Sequence, residues 1–198
     1  NFITKLSKAS KHVEVIFLNK KKFKSNYLKT LSKTVFLSKL FQEQNFLKKE
    51  FKNKDYIFVN CTNSKNSLDF EKLGSKLYIF LKNNKVENSF INENSNFLTS
   101  IQLEKILHGL QLKSYNFDIY KTDKKKEDFI INLTIVGANT KKTNLLRHKL
   151  NALLKGVFLA RDLVSEPGNV LHPDEYAKRI AKLRKIGLKV TVFDQKKL

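Results

Sequence analysis

A chain of 198 residues with 41% hydrophobic side chains, 16 Phe among them, has material for one full core and part of another, which excludes general disorder. The net charge of +21 would suit nucleic acid or another anionic surface, yet only Arg147, Arg161, Arg179 and Arg184 among the 39 basic residues are arginine. Lys, Asn, Ile and Phe crowd together as an AT-rich coding sequence produces, whereas bidentate phosphate or base readout favours Arg, so any DNA binding is expected to be weak and non-specific. Cys61, the single cysteine, makes no internal disulfide or metal cluster and suits a reducing compartment. No run of about 18 apolar residues is present to span a membrane, and the expected location is cytoplasmic. With no Met at position 1 and a helix cap at Asp194 followed by only four residues, the chain is expected to be a piece cut within a domain.

In chain order, Val13 to Leu18 reads as a strand closed by the polar turn Asn19 to Lys22. Thr34 to Leu37 extends strand structure, and Leu40 to Phe51 has a helical spacing of apolar groups. Tyr56 to Val59 is a strand, Asn60 to Ser67 a loop, Leu68 to Leu73 a helix, and Leu77 to Leu81 a further strand. Lys82 to Asn96 is polar and Asn-rich. Phe97 to Leu112 spaces Leu98, Ile101, Ile106 and Leu110 as a helix docked on a sheet, Lys121 to Asp128 is a solvated loop, and Phe129 to Val136 is a strand ended by Gly137.

From about Thr143 a long helix begins. Leu146, Leu150, Leu153, Val157, Ala160 and Val164 fall alternately four and three apart, predicting one buried stripe, with Arg147, Lys149, Lys155, Arg161 and Asp162 opposite. Pro167 and Gly168 stop it, so the helix should join two packed bodies. Pro173 to Ile186 reads as a helix opened by Pro at its first position and closed by Gly187, and Leu188 to Phe193 as a strand. Strands separated by helices predict an α/β layered domain with a mixed or largely parallel sheet over residues 1–142. A linker helix over 143–166 and the first helix-strand unit of a second α/β domain over 167–198 follow.

Leu159 to Tyr176, reading Leu-Ala-Arg-Asp-Leu-Val-Ser-Glu-Pro-Gly-Asn-Val-Leu-His-Pro-Asp-Glu-Tyr, resembles the segment that opens the catalytic domain of leucyl (cytosol) aminopeptidases. Arg161, Asp162, Glu166, Pro167, Asn169 and Pro173 match that segment. Ser165 and Gly168 depart from its usual Asn and Pro, and His172 stands in place of a capping Thr, a substitution expected to loosen the next helix start. Gly109 to Thr122 resembles a second signature of the family, near the end of its N-terminal domain, through Tyr115, Phe117, Asp118, Tyr120 and Lys121.

The resemblance implies the N-terminal portion of a two-metal exopeptidase that removes N-terminal residues from peptides. It implies two divalent ions, Mn or Zn, in the full-length protein, a homo-hexamer built around the catalytic domains, and a role in assembly and access for this portion. The family's metal-binding and catalytic segments are not in this sequence, so the chain alone is expected to bind no metal and to be inactive. His12, His108, His148 and His172 have no partner at metal-ligand spacing and suit surface or structural roles. Cys61 has no base in view, and Arg161, Asp162 and Glu166 suit an ion pair or cap that fixes the corner.

Overall fold

A computed structural model of the chain describes residues 12–19, 45–51, 53–93, 97–122, 129–137, 141–194 and 197. The regions 20–44 and 123–128 therefore lie outside the described residues, and with them the strand expected at Thr34 to Leu37 and most of the basic loop. By contacts the chain forms two compact units, Asn1–Asn116 with Tyr120–Leu154, and Phe117–Ile119 with Lys155–Leu198.

The first unit holds a five-stranded sheet of β1 (Val13–Leu18), β2 (Phe46–Phe51), β3 (Lys54–Asn60), β4 (Asn88–Asn92) and β5 (Asn132–Val136), in the order β2-β3-β1-β4-β5. Three of the four pairings are parallel, and β2 is added antiparallel to β3 at one edge. Helices α1 (Ser67–Asn83) and α2 (Ser100–Lys113) pack on one face. There Val13, Val15, Phe17, Ile57, Val59 and Ile91 meet Phe70, Leu73, Leu77 and Leu81 of α1 and Leu103 and Ile106 of α2. Ile16, Leu18 and Phe58, on the opposite face of the alternating strands, are buried too, as a largely parallel sheet requires. The α/β layered architecture with a largely parallel sheet is as expected.

Several elements differ from the sequence reading. Leu77 to Leu81 is not a strand but the second half of α1: a capping box between Asn66 and Asp69 starts the helix, and Phe70, Leu73, Leu77 and Leu81 bury one continuous stripe. The helix closes through a left-handed turn at Lys85 (φ 49°), with Lys85 N–H donating to the Lys82 carbonyl at 3.1 Å and Val86 N–H to that of Leu81 at 3.0 Å. Phe46 to Phe51, read as helical, is β2, because Asn53 (φ 59°) supplies a hairpin turn that pairs Phe51 with Lys54. The polar stretch Lys82 to Asn96 contains β4, whose Ser89 and Ile91 are buried while its ends are Asn. Leu188 to Phe193 carries no sheet pairing; among the described residues no neighbouring strand offers it a ladder.

The long helix, α3 (Lys141–Ser165), forms as expected. Its stripe is buried at Leu150, whereas Leu153 is 55% exposed and Val164 87% exposed. Hydrophobic spacing predicts burial there, but both residues are exposed among the described residues. Arg147, expected on the solvent side, is instead turned to an ion pair with Glu104 of α2. In the second unit, α4 (Pro173–Ala181) runs into a 3₁₀ turn, Lys182–Ile186, closed by Gly187 in the left-handed conformation (φ 90°).

Candidate functional site

The corner after α3 is built by its own hydrogen bonds. Glu166 N–H donates to the Asp162 carbonyl at 3.0 Å, ending the helix, and the N–H groups of Val170 and Leu171 each donate to the Pro167 carbonyl at 2.9 Å, turning the chain through Gly168 and Asn169. The Glu166 carboxylate, 6% exposed, accepts from Arg179 of α4 at 2.7 Å. Arg179 also donates to Glu175 at 3.1 Å, one helical turn away. The Arg179 hydrogen bond holds the Glu175 carboxyl below its ordinary range, and the hydrogen bonds to Glu166 and Glu175 push the guanidinium further up. Glu166 is thus an acceptor that fastens α4 to the corner, and Arg179 is its partner. Pro173 opens α4 with Asp174 and Glu175 in the first turn, where carboxylates oppose the positive helix end. His172 caps the helix through its backbone alone, with no side-chain bond.

Tyr115, Phe117 and Asp118, all partly buried, follow α2 in an irregular segment, with Tyr120 and Lys121 exposed beyond them. Arg161 is exposed on α3, Asp162 is partly buried, and Pro167 and Asn169 are exposed in the corner. Among the described residues no three His, Cys, Asp or Glu side chains group as metal donors. A two-metal centre needs several converging carboxylates, and the donor set here does not fit one.

The first unit carries a charged seam that sequence reasoning missed. Arg147 donates from Nε to Glu104 Oε1 at 3.0 Å and pairs with the same oxygen through a second guanidinium nitrogen, while the Glu104 side chain is 4% exposed. Lys105 Nζ meets Glu71 Oε1 at 2.9 Å, joining α2 to α1. The 43-residue separation of Glu104 and Arg147 leaves no local signal. Cys61, 2% exposed, donates its thiol to the Val59 carbonyl at 3.8 Å, and burial pushes that thiol up, away from the thiolate a nucleophile needs. No helix of the described residues is long and apolar enough to cross a membrane.

The fold and its corner define the class: a mixed α/β domain with a five-stranded, mostly parallel sheet, followed in the chain by a long helix, a turn and a short helix. Over 96% of its length the chain superposes on a tomato leucine aminopeptidase variant, with a TM-score of 0.72 at 16% identity, covering 43% of that chain. It superposes also on the bottromycin maturation enzyme BotP in complex with Mn, with a TM-score of 0.65 and 15% identity, over 95% of this chain and 39% of that one.

No protein-family model matches the chain. In sequence it is 44% identical over 87 residues to a probable cytosol aminopeptidase of Methylorubrum extorquens, a match spanning 43% of this chain and 18% of the relative. It is 35% identical over 105 residues to one of Phytoplasma mali, spanning 51% of this chain and 21% of the relative. The chain is therefore similar to cytosol aminopeptidases, the family that its two motifs resemble, and it matches about a fifth of the length of these curated relatives.

Proposed function

We propose that this chain is the N-terminal portion of a metal-dependent leucyl aminopeptidase that removes N-terminal amino acids from peptides in the cytoplasm. The supporting observation is the corner: a family-like segment folds into a helix end, turn and helix start fastened by Glu166 and Arg179, yet none of residues 155–194 is buried. A segment that orders its backbone while burying no hydrophobic residue lacks most of the term that offsets conformational entropy, so it suits the opening of a larger domain. In this reading the first unit serves assembly and access, the whole protein forms a homo-hexamer, and two divalent ions, Mn or Zn, belong to residues beyond this chain. The residues here hold the corner from which that domain starts.

The test is the native polypeptide from its source, measured for intact mass and for hydrolysis of a leucine amide with added Mn²⁺ or Zn²⁺. A mass well above 23.1 kDa with metal-dependent hydrolysis is expected. A native mass near 23.1 kDa without hydrolysis overturns the reading, and hydrolysis by the 198-residue chain alone overturns its non-catalytic assignment.

A further inference from the structure

His108 lies on α2 with 3% of its surface exposed, and its Nδ1 has no hydrogen-bond partner among the described residues. The next residue, Gly109, presses on the backbone of α1 so closely that a Cβ there would stand 1.9 Å from the Glu71 carbonyl oxygen, and Ser75 Oγ donates to the Gly109 carbonyl at 3.0 Å. The ring therefore stands one residue from the point where the two helices touch backbone to backbone.

The charged groups that act on it are Glu71 of α1 and Lys105 of α2. Glu71 of α1 is engaged by Lys105, and Glu104, one turn before His108 on α2, is engaged by Arg147 of α3. Both carboxylates thus have a cation already. In the charged ring both nitrogens are donors, so Nδ1–H becomes a buried donor with no acceptor among the described residues, which costs more than an unused lone pair. Burial, helped by Lys105 and opposed by Glu71, keeps the imidazole below its ordinary titration range.

We propose that His108 is an acid-sensitive latch on the seam between α1 and α2: the neutral ring packs in, and charging it separates the helices and loosens the Glu104 anchor of α3. The sign follows from linkage. The unfolded ring titrates near pH 6.5 and the folded one lower, so the contribution to stability is fully present above about pH 6.5 and is lost as the pH falls toward the folded value.

The test is urea unfolding of the chain, followed by far-ultraviolet circular dichroism, at pH 7.5 and 5.0, for the parent and for His108→Gln. His148→Gln and His172→Gln are the controls, both at exposed positions. Between the two pH values the parent's unfolding constant should rise by up to about 30-fold more than that of His108→Gln, the ceiling for a ring that stays neutral against an unfolded pKa near 6.5. The controls should keep the parental pH dependence. Equal pH dependence in the parent and His108→Gln overturns the proposal. Should His108→Gln not fold, nitrogen-15 NMR of the parent's imidazoles decides. His108 should stay neutral below pH 6.5, with the protection factors of amides along α1 and α2, corrected for intrinsic exchange rates, falling as it charges. Titration at or above 6.5, or protection factors indifferent to pH, overturns it.

Discussion

Gly74 and Gly109 let helices α1 and α2 touch backbone to backbone: a Cβ at Gly74 would fall 1.9 Å from the Ile106 carbonyl oxygen, and one at Gly109 would fall 1.9 Å from that of Glu71. Backbone cannot swing aside as a flexible side chain does, so the added methyl must push the helices apart. Gly109→Ala is expected to destabilise the chain by about 3 kcal/mol, at the upper end of overpacking costs. Gly156→Ala on α3 is the contrast, since nothing lies within 4 Å of its Cβ position. There Ala should stabilise by about 0.5 to 1 kcal/mol through helix propensity. Urea unfolding of both variants checks the pair, and similar destabilisation in both would refute the close-contact account.

The Glu104–Arg147 pair makes a second prediction. With Glu104 4% exposed and Arg147 17% exposed, truncating either partner leaves the other charge in a desolvated place. Arg147→Met is expected to cost about 3 kcal/mol, in the range for breaking a buried pair. Replacing both residues by apolar ones of similar size should recover most of that loss. A double-mutant cycle on urea midpoints measures it, and an additive double variant would show that the pair is not coupled.

How far the sequence carried this fold depends on whether the signal was local. Helix α2 was legible because Leu103 and Ile106 repeat at helical spacing, and β1 and β3 because Val15, Ile16, Ile57 and Val59 form short β-branched runs. Helix α1 was half misread, since Leu77 to Leu81 in isolation is rich in strand formers. Only the stripe beginning at Phe70 and the Asn66–Asp69 capping box show that the helix continues. Strand β4 is five residues long and ends in Asn, so its place comes from parallel pairing with β1 and β5, which local pattern does not encode. At the corner, where an ion pair or a cap is expected of Arg161, Asp162 and Glu166, Glu166 pairs with Arg179, a partner 13 residues on that no local pattern identifies.

Cys61 yields a third prediction. At 2% exposure, with its thiol donating to the Val59 carbonyl and burial opposing ionisation, it should resist a thiol reagent such as DTNB in the folded state. Labelling in urea should follow the unfolding transition, so the two midpoints coincide. Rapid labelling without denaturant would mean that the β3 end opens locally.

Lys85 gives a fourth. It occupies the left-handed position after α1 (φ 49°), where a Cβ is unfavourable by about 1 to 2 kcal/mol, and the turn is already fixed by the Lys85 and Val86 N–H groups. Lys85→Gly removes that strain at some cost in unfolded-chain entropy, for an expected net gain of about 0.5 to 1 kcal/mol. A raised urea midpoint with unchanged slope checks it; a lowered midpoint would show that the Lys85 side chain contributes contacts outweighing the strain.

Val164, 87% exposed on an apolar stripe, separates the chain alone from the longer polypeptide proposed above. In the 198-residue chain Val164→Ser should change stability by less than about 0.5 kcal/mol, as at other exposed positions. If the stripe is covered by a larger domain, the same change there deletes buried methyl groups and introduces a hydroxyl that needs a partner, costing about 1 to 3 kcal/mol. Urea unfolding of the parent and variant in both contexts measures the difference. Equal, small effects in both would mean that the stripe stays open and that the corner fastened by Glu166 and Arg179 does not begin a packed domain.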